Sequence, residues 1–184
     1  MRIITGSRRG KKLKTPQGDA VRPTSDRVKE ALFNILQFDL EGRSFLDLFA
    51  GSGQIGLEAL SRGADHAVFV DSAKVSCAIV QDNIQLAKFE AQAKVVNAGF
   101  EAFLMRNTES FDIAFLDPPY KTGLLQEALA AMPQHMNLGG VIICEHPSDE
   151  QLPDEAGGFV RVKDYRYGKI VLTTYRHESL VQKK

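Results

Sequence analysis

Phe45-Leu46-Asp47-Leu48-Phe49-Ala50-Gly51-Ser52-Gly53 is the stretch that decides the fold. The mostly apolar run 45–49 reads as a buried strand, the glycines as a tight turn, and residues 53–62 as a helix. The same alternation continues downstream. Strands are expected at 67–70, 94–97, Phe111 to Leu116 and Gly140 to Cys144, with helices over 73–88 and 123–132. Upstream, Pro23-Thr24-Ser25-Asp26 caps a helix whose stripe is Val28, Ala31, Leu32, Ile35 and Leu36, running to about Gln37. Sequential βα units with short loops predict an α/β protein with a mostly parallel, doubly wound sheet, whose ligands sit outside the carboxyl ends of the strands. The end of the chain departs from this order. Residues 159–165 and 169–176, around Tyr167-Gly168, predict an antiparallel hairpin that closes the sheet.

The head of the chain has a different character. Arg2-Ile3-Ile4-Thr5, turns at Gly6 and Gly10, and Lys12-Leu13-Lys14 before Pro16 predict a small N-terminal basic β-hairpin. Residues 1–22 are therefore read as an appendage and 23–184 as one domain, a division that suits 184 residues. Net charge is zero, but residues 1–29 carry nine Lys/Arg against two acidic residues and 161–184 carry seven against two, leaving the middle at −12. Basic ends on an acidic body suit a polyanionic partner. Arg8, Arg9, Lys11, Lys12 and, further on, Arg22 are the candidate contacts to it.

Hydrophobic residues at 43% and charged residues at 25% are those of an ordinary globular protein. No apolar run approaches the roughly 20 residues that span a bilayer, and Met1-Arg2-Ile3-Ile4 lacks a secretory stretch, so a cytoplasmic protein is expected. Cys77 and Cys144 read as reduced core thiols. His66, His135, His146 and His177 show no ligand spacing, and no metal is expected.

Gly51, Gly53 and Gly56 satisfy the G-x-G-x-x-G spacing of dinucleotide sites, a weak signal on its own. Asp47 separates the alternatives. A carboxylate at the strand end repels a pyrophosphate but attracts the cationic α-amino group of S-adenosylmethionine. Asp71, ending Val68-Phe69-Val70-Asp71, stands where an acid can accept hydrogen bonds from a ribose diol. The candidate cofactor loop thus comprises Asp47, Phe49, Gly51, Ser52 and Gly53, with Asp71 beside it.

Asp117-Pro118-Pro119-Tyr120 follows the strand Phe111 to Leu116, at the same carboxyl edge. An exocyclic amine delocalises its lone pair into the ring and attacks a methyl donor poorly. The Asp117 carboxylate and a nearby carbonyl can each accept one N–H, which localises the lone pair and aims it for in-line transfer. Pro118 and Pro119 fix the backbone and remove two competing donors, and Tyr120 offers a face for an extruded base. These four are the candidate catalytic residues.

Taken together, these motifs resemble the Rossmann-like S-adenosylmethionine-dependent amino-methyltransferases, and more specifically the bacterial 16S rRNA guanine-N2 methyltransferase family named for guanine 966. The likeness runs through Arg2-Ile3-Ile4, Gly10-Lys11-Lys12-Leu13, Arg22-Pro23-Thr24-Ser25-Asp26-Arg27, Glu30-Ala31-Leu32-Phe33-Asn34, the glycine loop, Asp117-Pro118-Pro119-Tyr120 and Tyr167-Gly168. It implies methyl transfer from S-adenosylmethionine to a guanine N2 of 16S rRNA or the small ribosomal subunit, leaving S-adenosylhomocysteine. It also implies that Arg22 to Asn34, Thr24 included, packs beside the cofactor pocket. One position departs: Gly99 stands where such enzymes often carry Asp or Asn for the adenine amino group, so backbone groups near Phe100 are expected to read that edge. DNA or RNA adenine-N6 methylation is the near alternative. Modification of a protein glutamine is disfavoured because Asn, not Asp, would precede Pro-Pro-Tyr, and an NAD-linked oxidoreductase because of Asp47.

Overall fold

The computed structural model describes residues 1–15 and 25–181. Two compact units divide at Phe100/Glu101. In the first, β1 (Ser44–Asp47), β2 (His66–Asp71) and β3 (Ala93–Asn97) pair in parallel in the order β3-β2-β1. All four residues of β1 and the four central residues of β2 are buried. Burial on both faces is what a near-continuous apolar strand in a parallel sheet requires. Three helices accompany these strands: α1 (Asp26–Ile35), α2 (Gln54–Ser61) and α3 (Lys74–Ala87). Ser25 caps α1 as the sequence predicts, its Oγ accepting the Val28 N–H at 3.3 Å.

The second unit begins within α4 (Phe100–Arg106) and holds β4 (Phe111–Leu116), α5 (Leu124–Ala131) and the long β5 (Met136–Pro147), then β6 (Glu155–Ala156), β7 (Phe159–Tyr167) and β8 (Ile170–His177). β4 and β5 are parallel; β5–β8, β8–β7 and β7–β6 are antiparallel. The expected Rossmann-like α/β class, with parallel strands and a closing antiparallel hairpin around Gly168, is the observed one. Among the described residues no helix is long and apolar enough to cross a membrane.

The N-terminal hairpin forms as the sequence predicts. Arg2 bridges Lys12 in antiparallel fashion, the Ile3 N–H donates to the Lys11 carbonyl at 3.0 Å, and Ile3 and Leu13 are buried. Its tip is sewn to the end of α2: the Ser7 N–H donates to the Ser61 carbonyl at 2.7 Å and the Ser61 hydroxyl to the Thr5 carbonyl at 2.6 Å. Gly6 makes this approach possible. A Cβ there would lie 1.7 Å from the Ser61 carbonyl oxygen. Beneath the hairpin, Glu58 of α2 is fully buried and accepts the Ile4 and Thr5 N–H groups at 2.8 and 2.9 Å. Its carboxylate also meets Arg62 at 2.8 Å and Lys29 at 3.6 Å. Lys29 of α1 is equally buried and donates to the Arg2 carbonyl at 2.6 Å. Burial holds its ammonium below the usual lysine range, against the pull of Glu58 and Asp26.

Candidate active site

The glycine loop joins β1 to α2 through two left-handed residues, Gly51 (φ +55°) and Gly53 (φ +76°), the second capping α2. The third glycine, Gly56, serves packing: a Cβ would stand 2.3 Å from the Phe69 ring, so only glycine lets α2 rest on β2. These are the roles such a loop needs to bring bare backbone to a ligand.

Both carboxylates of the sequence reading hold this loop. Asp71, half-buried at the end of β2, accepts the Gly51 N–H at 2.9 Å with one oxygen and the Ala73 N–H at 2.8 Å with the other. Each oxygen keeps lone-pair capacity for further donors. Asp47 is 2% exposed and accepts the Gly56 N–H at 3.1 Å. Burial pushes its carboxyl up to about 7, the Gly56 N–H opposing the shift and the Asp71 charge adding to it. Phe49 packs its ring against Phe100, centroids 5.7 Å apart and tilted by 50°. Gly99 precedes that ring half-buried, and the Asn97 amide ties the ends of β2 and β3 by donating to the Asp71 and Ser72 carbonyls, both at 3.0 Å. Ser52 is buried, its hydroxyl 3.4 Å from the Met1 Sδ. Six of the candidate cofactor residues therefore gather around two strand ends, with Gly99 and Phe100 at the third. Thr24, like Arg22, lies outside the described residues.

The raised Asp47 carboxyl has a signed consequence. The unfolded chain releases this proton near pH 4 and the folded protein near pH 7, so the folded form binds more protons between them and stability falls as pH rises across that window, then levels off. A cationic ligand group favours the ionised form. A ligand that presents its ammonium to Asp47 is accordingly expected to gain affinity up to about tenfold per pH unit below 7 and to plateau above it, read by titrating S-adenosylhomocysteine as the probe from pH 5.5 to 8.5. A flat profile means that Asp47 meets no ligand ammonium.

In the second unit, Asp117 follows the last residue of β4 and is half-buried. Pro118 is buried, whereas Pro119 and Tyr120 are exposed. The Thr122 hydroxyl donates to the Pro119 carbonyl at 2.7 Å and closes the turn. Sequence reasoning missed Glu145, which stands one residue past Cys144, the β5 partner of Leu116. Only 3% exposed, it accepts the Tyr120 O–H at 3.2 Å and so sets the angle of the tyrosine ring. A carboxylate near the end of an apolar strand, in Ile143-Cys144-Glu145, was the available signal.

The basic candidates divide. Arg9, Lys11 and Lys12 are exposed. Arg8 is half-buried, donates through Nε to the Ala87 carbonyl at 2.7 Å and lies 5.5 Å over the Phe89 ring, so it also anchors the hairpin tip.

A family model described as conserved hypothetical protein 95 matches residues 1–176. The chain belongs to this family. Ribosomal RNA small subunit methyltransferase D of Escherichia coli is 34% identical over 181 residues, covering 97% of this chain and 91% of that protein. Its Haemophilus influenzae counterpart is 41% identical over 135 residues, covering 72% and 70%. The solved structure of yhhF from Escherichia coli superposes with a TM-score of 0.87 at 34% identity, covering 97% of this chain and 98% of that one. The family match takes in the hairpin, the glycine loop and Asp117-Pro118-Pro119-Tyr120 alike.

Proposed function

We propose that the chain methylates the exocyclic N2 of a guanine in 16S rRNA, as free RNA or in the small ribosomal subunit, using S-adenosylmethionine in the cytoplasm. The observation that carries this reading is the pairing, in one Rossmann-like chain, of a carboxylate-held glycine loop after β1 with Asp-Pro-Pro-Tyr after β4. Relatives named for ribosomal RNA small subunit methylation at 34% and 41% identity support the substrate class.

The loop fits the donor. Asp71 and Asp47 supply acceptors for hydroxyl and ammonium groups, the glycines leave bare backbone, and Phe49 with Phe100 supplies an apolar wall. Bound there, S-adenosylmethionine provides an electrophilic methyl group. Asp117 accepts one N–H of the target amine and a neighbouring carbonyl accepts the other, so the nitrogen lone pair is localised and oriented. Pro118 and Pro119 keep those acceptors still. Tyr120, fixed by Glu145, presents its ring to the base. Residues 1–22 act as an arm on the RNA backbone.

Incubating the protein and donor with unmodified 16S rRNA, small subunits or DNA, then digesting to nucleosides for mass spectrometry, should give N2-methylguanosine from the ribosomal substrate. N6-methyladenosine in its place overturns the base assignment. Asp71→Ala should weaken S-adenosylhomocysteine binding by about 1 to 3 kcal/mol, the cost of losing a charged hydrogen-bond partner. Calorimetry finding wild-type affinity in that variant removes Asp71 from the donor site. Replacing Arg9, Lys11 and Lys12 with alanine should leave donor binding intact, raise KM for RNA and flatten its salt dependence by up to roughly one unit of slope for each phosphate no longer neutralised. An unchanged KM at every salt concentration means that the hairpin does not bind RNA.

A further inference from the structure

We propose that Asn83 couples the basic hairpin to the glycine loop, so that RNA on the hairpin and the methyl donor in the loop raise each other's affinity. This rests on the functional reading above and adds to it an energetic link. Asn83 lies on α3 with no exposed surface. Its Oδ1 accepts the Lys14 N–H at 2.7 Å, and its Nδ2 donates to the Lys14 carbonyl at 3.0 Å and to the Ser52 carbonyl at 2.9 Å. The side-chain amide thus pairs with both backbone groups of Lys14, as a neighbouring strand would, and spends its second hydrogen on the middle residue of the Gly51-Ser52-Gly53 turn.

A second joint reaches the same residue from the other strand of the hairpin, where the Ser52 hydroxyl donates to the Met1 Sδ at 3.4 Å. One strand therefore meets Ser52 directly and the other reaches it through Asn83. Beside this joint the Lys14 ammonium meets Asp82 of α3 at 2.7 Å. The turn being held is one that gains from restraint, because Gly51 and Gly53 adopt left-handed conformations and glycine loses more backbone freedom on ordering than any other residue. RNA gripping Arg9, Lys11 and Lys12 restrains the hairpin, and Asn83 carries that restraint to the turn. A donor entering an already ordered turn loses less entropy on binding. By linkage the same factor returns to RNA when the donor binds first. Phosphate contacts alone would strengthen RNA binding and leave donor affinity untouched.

The experiment is equilibrium binding of labelled S-adenosylhomocysteine to the full chain, with and without saturating small ribosomal subunits that lack the methyl group. In the wild type the subunits should tighten Kd by about fivefold or more. Asn83→Asp keeps the acceptor for the Lys14 N–H and loses both donations. Its ratio should fall below about twofold. Asn83→Ala repeats the comparison with no new charge, and the thermal midpoint of each variant reports folding. A wild-type ratio of one, with both ligands bound, overturns the coupling and leaves the methyltransferase reading standing. A wild-type ratio kept by a folded Asn83 variant overturns the role of Asn83. Failure of either ligand to bind the wild type overturns the functional reading and this inference with it.

Discussion

Asp117→Ala should lower kcat by about 10²- to 10⁴-fold, the range for removing a group that manages the proton and lone pair of a reacting atom. Donor affinity should stay within about twofold of wild type, because the groups assigned to the donor lie around β1, β2 and β3 and the missing carboxylate is assigned to the amine. RNA affinity should also hold, since the proposed function assigns it to phosphate contacts by the hairpin and not to Asp117. Asp117→Asn sharpens the test. It preserves shape and one acceptor but adds an N–H donor facing the amine's own hydrogens, so it should lose most of the same activity. Single-turnover kinetics with saturating donor and RNA read the chemical step directly. Near-normal turnover in either variant would remove Asp117 from the reaction, and loss of donor binding with turnover would move it to the cofactor pocket.

The elements that position these groups were legible because each carries its own punctuation. Gly51 and Gly53 mark the turn after β1, Ser25 caps α1, and the apolar run Phe111 to Leu116 ends at two prolines. α4 escaped notice, since seven residues bounded by Gly99 and Asn107 offer little periodicity, although Phe100, Phe103 and Leu104 do form a buried face. β5 runs from Met136, whereas the apolar run starts only at Gly140, because Asn137, Leu138 and Gly139 are exposed and leave that part of the strand without an apolar pattern to read. Buried polar side chains were the least legible of all. Glu58, Lys29 and Asn83 sit on helices where such residues normally face water, and each is buried and hydrogen-bonded to the backbone of the hairpin. Arg8 shows the converse, a basic residue read for RNA that also packs on Phe89.

Glu58→Ala should then be the most destabilising single change at the hairpin. Four donors converge on this fully buried carboxylate: the Ile4 and Thr5 N–H groups, the Arg62 guanidinium and the Lys29 ammonium. Removing it leaves two backbone N–H groups without their acceptor and a buried lysine with only the more distant, half-exposed Asp26 at 4.0 Å for counter-charge, and breaking a buried pair in this way costs about 3 to 5 kcal/mol. For a chain of this size the thermal midpoint should drop by roughly 6 to 20 °C. Glu58→Gln is the milder change. The Ile4 and Thr5 N–H groups reach different oxygens of Glu58, so the amide oxygen still accepts one of them while the NH2 faces the other and the charge is gone. Its midpoint should lie between those of wild type and Glu58→Ala. Adding Lys29→Met to Glu58→Gln removes the stranded ammonium and should recover part of the stability, since replacing both partners of a buried pair costs less than removing one. Hydrogen exchange at Ile4 and Thr5 should rise in Glu58→Ala well before the strands of the core open. Equal midpoints for wild type and Glu58→Ala would mean that the hairpin is held by its other anchors, Ser61, Asn83 and Arg8 among them, and that the Glu58 carboxylate contributes nothing to its docking.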